Sequence, residues 1–320
     1  MATQSFKTYF GRNSRQGLWY VPLLITVVGA VILTVYTDDF ASPQNLSNLL
    51  SQAMPLIIVA IGQMIVIVIG GMDLSVGAII SLTTALLALD APAFVLVPAV
   101  FAITALIGLV NGYSIVKLNV HPIIATLSVQ FIVVGFARIL RPVAGGSVPD
   151  IVVSCVAGTV FGIPLTVFWA VIVLLLGWKL IHGSRYGLHL FAIGGGVSSG
   201  QEDAAHNFGI SDQRNVILAY VCSALFAALA GFYIAGRISS GDPGVGETFA
   251  LDSVTAVAIG GTQLSGGIGS LHGTLFGAIL MVLLSNGMNL ANLSAFLQGA
   301  IKGAILLLVV SLQSRKKMGL

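Results

Sequence analysis

Charge is what this sequence has least of. Its 320 residues include 14 Lys or Arg and 11 Asp or Glu, 8% together, where a soluble domain carries about 25%. That excludes a water-facing surface for a chain of this length. Cysteine is nearly absent too: Cys155 and Cys222 lie far apart, which excludes a disulfide framework and a redox pair and leaves two small packing residues. The five histidines, His121, His182, His189, His206 and His272, never fall at i,i+4, so no metal site is expected. No Gly-x-x-x-x-Gly-Lys-Ser/Thr run occurs, so nucleotide is not held by a phosphate-cradling loop of that type. The one Gly-x-Ser-x-Gly match, from Gly196 to Gly200, sits in a polar stretch without the strand that a nucleophile elbow requires. With no convergent acid, base or nucleophile, an enzyme is not expected.

What is present is hydrophobic length. Apolar residues make up 57% of the chain and mean hydropathy is +1.01. Runs of roughly 18 residues or more recur, each able to cross about 30 Å of hydrocarbon as a helix. Barrel-type segments of about 10 strictly alternating residues are missing. The expectation is an all-α polytopic membrane protein of about ten transmembrane helices. The spans fall near 19–37, 51–71, 75–89, 93–116, 122–140, 161–181, 215–235, 249–261, 271–289 and 295–312. The eighth has the length of a broken or partial helix. His121-Pro122 marks a helix start, since proline suits the first turn. The first run follows a basic tail and lacks a small-residue cleavage site, so it reads as a retained helix.

Ten spans put both termini on one side. That side collects Lys7, Arg12, Arg15, Lys117, Lys179, Arg185, Arg214, Arg315, Lys316 and Lys317, against Arg138, Arg141 and Arg237 on the other. Basic residues accumulate in the cytoplasm, so both termini are expected there. Residues 1–18 and 313–320 form cytoplasmic tails around a membrane domain at 19–312, whose longest cytoplasmic loop is 182–214. The net charge of +3 reports sidedness and not nucleic acid.

One stretch interrupts the apolar pattern twice. Gly70-Gly71-Met72-Asp73-Leu74-Ser75-Val76-Gly77 has a looser copy at Gly260-Gly261-Thr262-Gln263-Leu264-Ser265-Gly266-Gly267. Five of eight positions match without gaps, an internal repeat. Glycine lets the chain leave helical geometry, and unwound backbone at membrane depth survives only inside protein or beside a water-filled path. Asp73 is costly in lipid. Two readings stay open. Asp73, Ser75, Asn111, Gln263, Ser265 and Asn286 line or gate a substrate path, or the breaks are tight turns with Asp73 capping the next helix. In either case Gly70, Gly71, Gly77, Gly260, Gly261, Gly266 and Gly267 are the candidate hinge positions. Within 182–214, the expectation for Gln201, Glu202, Asp203, Ala204, Ala205 and His206 is either a short helix ended by Gly209 as a C′ glycine, a docking knob, or a solvated loop.

Together these blocks resemble a known family. Gly70–Gly77 is similar to the Gly-Gly-Ile-Asp-Leu-Ser-Val-Gly signature of ribose-type ABC transporter permeases. His121–Leu127 resembles their Pro-Phe-Ile-Ala-Thr-Leu segment, and Ala192–Gly195 with Ala204-Ala205 and Gly209-Ile210 their cytoplasmic coupling region. Leu251-Asp252, Ala258–Gly267 and Asn286–Leu290 resemble their late signatures. The resemblance implies a permease in the bacterial inner membrane that pairs with a second permease copy. It implies docking of a cytoplasmic ABC ATPase through residues 201–209, and substrate delivered by a periplasmic sugar-binding protein. ATP would be bound by the partner subunit, with no cofactor in this chain. The substrate class would be a monosaccharide or related polyol. Two departures stand out: Gly196 replaces the family's asparagine, and residues 197–201 look inserted. The alternative is a stand-alone secondary transporter or channel, since such proteins also place polar breaks near the midplane.

Overall fold

The structure is a computed structural model that describes residues 20–37, 39–199 and 209–312. In chain order the helices are α1 (Tyr20–Tyr36), α2 (Pro43–Val68), α3 (Val76–Leu87), α4 (Ala93–Lys117), α5 (Pro122–Leu140) and α6 (Asp150–Val156). A two-residue hairpin, Thr159–Val160 against Ile163–Pro164, precedes α7 (Leu165–Ile181). Then come α8 (Arg185–Ser199), α9 (Asp212–Ile238), α10 (Phe249–Ile259), α11 (Leu271–Leu290) and α12 (Ala295–Leu312). The all-α expectation holds, and each of the ten apolar runs contains a helix.

Helix lengths modify the span count. Among the described residues, α2, α4, α5, α9, α11 and α12 are long and apolar enough to cross a membrane. α7 and α8, bent by 63° at their junction, make a seventh if counted together, while α1, α3 and α10 are apolar but shorter. Two stretches expected as loops are helical. Residues 185–199 form α8, started by Ser184, whose hydroxyl accepts from the Gly187 N–H (3.1 Å) and donates to the Leu180 carbonyl (2.6 Å). Residues 150–156 form α6. α2 begins well before its apolar run, at Pro43, with Ser42 as N-cap accepting from the Asn45 N–H at 3.2 Å. Polar residues in a first turn hide a helix start from a hydropathy reading but suit its unpaired N–H groups. α5 starts at Pro122, as expected.

α2 is the central element. From Ala53 to Val68 every residue is buried, and all twelve residues of α3 are buried as well. A helix apolar on all faces belongs in such a position. α9 packs against α2, α3 and α4, and α11 against α2 and α10. Lipid is as apolar as leucine, so helices in a membrane associate through close packing and small residues. The contact of α9 with α4 follows that rule: a Cβ at Gly108 would lie 2.6 Å from the Tyr220 carbonyl oxygen, and one at Gly112 2.7 Å from the Ile217 Cα. α12 has no buried residue and packs on α10.

α3 and α10 are each preceded by non-helical chain held inside the protein. Residues 71–74, between α2 and α3, are unwound. Residues 239–248, between α9 and α10, run along α3. Gly241 lies against Thr84 and Ala88, and Gly246 against Gly77 and Ser81. The Thr84 hydroxyl donates to the Asp242 carbonyl (2.8 Å) and accepts its N–H (3.1 Å), and the Ser81 hydroxyl accepts the Gly246 N–H (2.9 Å). This descent covers seven helical positions of α3, about 10 Å, and α10 adds about 16 Å. Their sum approaches one hydrocarbon thickness of about 30 Å. The eighth run is thus helical over Phe249–Ile259 and is preceded by an irregular stretch whose backbone is satisfied by α3 hydroxyls, as buried backbone requires.

Candidate functional site

The first break is built as a polar knot. Asp73 Oδ1 accepts from the Ser75 N–H (3.0 Å) and the Ser75 hydroxyl (2.6 Å), an Asx-type turn that shapes the entry to α3. Asn111 on α4 donates from Nδ2 to Ser75 Oγ at 2.9 Å. Gln63 on α2 reads the Asp73 backbone from the other side, its amide oriented to donate to the carbonyl (2.9 Å) and accept from the N–H (3.2 Å). Thr126 on α5 donates to the Met72 carbonyl at 3.3 Å. From α9, Ser223 faces the Asp73 carboxylate, and Tyr220 presses its hydroxyl on Gly71, where a Cβ would lie 2.5 Å away. Gln63, Asp73, Ser75, Asn111, Thr126, Ser223 and Tyr220 are all buried to within 1%. Polar side chains of four helices thus converge on residues 71–75, just ahead of α3.

The second break, 260–270, is tighter. The Gln263 N–H donates to the Ile268 carbonyl and the Gly266 N–H to the Gln263 carbonyl, both at 3.0 Å. Gly261, Gly266 and Gly267 have φ of 85°, 84° and 79°, the left-handed region that favours glycine. The repeat seen in the sequence is not a conformational one. Gly70 has φ 81° while its counterpart Gly260 is right-handed helical, and Gly77 lies inside α3 while its counterpart Gly267 lies in a loop.

The two breaks and α8 meet at one point. The Gly267 N–H donates to the Val68 carbonyl at 2.8 Å, satisfying one of the last carbonyls of α2. A Cβ on Gly266 would lie 2.9 Å from the Gly70 nitrogen, and one on Gly267 3.0 Å from the Gly194 oxygen and the Gly195 Cα. A Cβ on Gly194 would fall on the Val68 carbonyl oxygen itself. Backbone touches backbone here, so a movement of α8 has no soft side chain in which to dissipate.

The expected residues therefore divide. Asp73, Ser75 and Asn111 form one network. Gln263 and Ser265 belong to the glycine junction, Gln263 half-buried and Ser265 exposed. Asn286 is elsewhere: it exchanges hydrogen bonds with Asn45 (2.8 and 3.3 Å), tying α11 to the first turn of α2. Gly260 packs against Gly273 between α10 and α11. Gly209 has φ 76°, while 201–206 lie outside the described residues. Among the described residues no metal-binding cluster occurs. Sequence reasoning missed Gln63, Tyr220 and Ser223. A lone glutamine inside the otherwise apolar stretch Ala53–Val68 was the available signal for the first. The others carried none, because Ser and Tyr are ordinary residues in such helices.

Comparison with known proteins covers nearly all of the chain. Residues 45–310 match the family described as branched-chain amino acid transport system / permease component. The chain is 33% identical over 329 residues to the ribose import permease protein RbsC of Escherichia coli (strain K12), covering 99% of this chain and 100% of that one. It is 32% identical over 319 residues to the protein of that name from Haemophilus influenzae, covering 97% and 96%. It is 32% identical over 337 residues to the galactose/methyl galactoside import permease protein MglC of Escherichia coli (strain K12), covering 98% and 97%. No solved structure matches the chain.

Proposed function

The chain belongs to the branched-chain amino acid transport system / permease component family, and from that premise we propose that it is the membrane-spanning permease subunit of an ATP-driven ABC importer for a monosaccharide or related polyol. The observation that carries the reading is the end-to-end match to import permeases named for ribose and galactose. It is a transport component and not an enzyme. Its energy comes from a cytoplasmic ATPase, its substrate from a periplasmic sugar-binding protein, and it works beside a second permease copy in the bacterial inner membrane. The ten apolar runs act as ten crossings, with both termini cytoplasmic.

The mechanism follows from the glycine junction. The ATPase docks on 201–209, immediately after α8. Closure of the ATPase pair displaces α8, and Gly194 and Gly195 press on Val68 and Gly267. Both breaks then shift together, tilting α3 and α10; the first turn of α3 meets the chain entering α10 at Gly77 and Gly246. The Asp73 knot keeps the first break in one shape during this movement, so it acts as a gate element. A neutral sugar needs hydroxyl and amide partners and no deep ion pair of its own.

Reconstitution tests this reading. Proteoliposomes containing the permease, its ATPase and its binding protein are expected to take up D-ribose or D-galactose only with internal ATP. Uptake by the purified chain alone, driven by an ion gradient, would establish the stand-alone transporter instead. ATP-dependent uptake of leucine in place of either sugar would move the substrate class to amino acids.

A further inference from the structure

Arg138, in the last turn of α5, donates to Glu247 at 3.1 Å, and the two side chains are 60% and 64% exposed. Glu247 stands where the irregular 239–246 stretch gives way to α10. Its neighbour Gly246 is held by Ser81 at 2.9 Å, about 10 Å along α3 from the level of Gly241. Two exposed charges among apolar helices belong beside water or a path. Next to the pair is a cavity of about 60 Å³, lined by Ser81 of α3, Gln130 and Val134 of α5, Gly246 and Glu247. Gln130, Val134 and Arg138 fall at i, i+4 and i+8, one stripe of α5. Among the described residues, the Gln130 amide bonds to none.

We propose that this cleft is a hydroxyl-binding subsite of the transport path. Glu247 accepts hydrogen bonds from sugar hydroxyls, and Gln130 both donates to and accepts from them. A carboxylate oxygen pair suits two neighbouring hydroxyls, and an amide serves hydroxyls in either sense. The cavity has room for about two waters, so it takes the hydroxyl edge of a sugar ring, and the Arg138–Glu247 pair opens to admit the rest. Arg138 is a positioning residue that holds the carboxylate between passages. The inference rests on the importer reading and deepens it.

The test uses the full transporter in proteoliposomes with D-ribose and D-galactose as probes. Glu247→Gln and Gln130→Ala are expected to lower uptake kcat/KM about tenfold, the weight of a hydrogen bond to a charged group. Basal ATPase activity and the melting temperature of the purified complex stay within error of the parent. Glu247→Cys and Gln130→Cys, in a chain with Cys155 and Cys222 replaced by alanine, are read separately. A membrane-impermeant methanethiosulfonate added from outside is expected to label both, and sugar to slow labelling at least threefold. Uptake within twofold of the parent together with unprotected or absent labelling overturns the subsite. Failure of the unaltered chain to transport either sugar counts against the importer reading, and absent labelling in that case still overturns the subsite by showing that no aqueous path reaches it.

Discussion

Asp73 shows how a costly residue is kept in an apolar chain. One carboxylate oxygen, Oδ1, accepts from Ser75 and the backbone is read by Gln63, which holds the shape of the break, while Oδ2 is buried without a hydrogen-bond partner among the described residues. Asp73→Asn retains an acceptor at Oδ1 and is expected to keep uptake within about threefold. Asp73→Ala leaves the buried Ser75 N–H and hydroxyl without their acceptor and should cost about 2–3 kcal/mol, read as a lower melting temperature by fluorescence-detected size exclusion. Equal loss of uptake in both variants, with folding intact, would mark the carboxylate as a substrate group. Gly194 and Gly195 give a sharper pair. An added methyl at Gly194 meets the Val68 carbonyl and at Gly195 meets nothing within 4 Å. Gly194→Ala should therefore destabilise by about 1–3 kcal/mol and lower sugar-stimulated ATPase activity. Gly195→Ala should be silent or slightly stabilising, by up to about 1 kcal/mol of helix propensity.

Among elements, α12 is the least supported. It has no buried residue, and its ion pair, Lys302 to Asp252 of α10 at 2.9 Å, is largely buried at 21% and 13% exposure. Lys302→Met leaves Asp252 as an unpaired carboxylate in apolar surroundings and should cost about 3 kcal/mol. Asp252→Leu combined with Lys302→Met should recover most of it, since a buried pair is often replaceable by apolar residues. Thermal denaturation of the four members of this cycle measures the coupling, and additive losses would show that the pair contributes nothing. The brevity of α3 and α10 has a common reason. Each follows unwound chain whose polar groups are met by side chains of neighbouring helices, so neither needs a full helical crossing to satisfy its backbone.

At the scale of the whole molecule, two breaks far apart in sequence meet because α8 is wedged against both. If the ATPase acts through 201–209, deleting those residues should abolish sugar-stimulated ATP hydrolysis and uptake while leaving the permease folded. Undiminished uptake would remove the coupling role from this segment. Much of this layout was legible from hydropathy. The ten runs are visible because lipid-facing helices must be apolar for their whole length, as α4 and α5 are. The proline start of α5 was legible because proline has no N–H to lose in a first turn. α8 was not, since a glycine- and serine-rich amphipathic segment has the composition of a loop. The Asp73 site was half legible: Asp73, Ser75 and Asn111 stand out as polar residues in apolar runs, while their enclosure by Gln63, Tyr220 and Ser223 does not.

By itself the sequence determined that the chain is an all-α membrane protein, that its apolar runs are broken at Gly70 and Gly260, and that its motifs follow the order of one permease family. These are consequences of local composition, and local composition decides what lipid accepts. Only the tertiary structure decided where the breaks meet. Gly70, Gly194 and Gly267 are separated by long stretches of chain, and nothing in their spacing says that their backbones touch. Nor does spacing say that Asn286 binds Asn45 and not Asp73, or that Glu247 of an irregular stretch reaches Arg138 of α5. Those pairings depend on which helices lie side by side, which is settled by close packing among many small residues together.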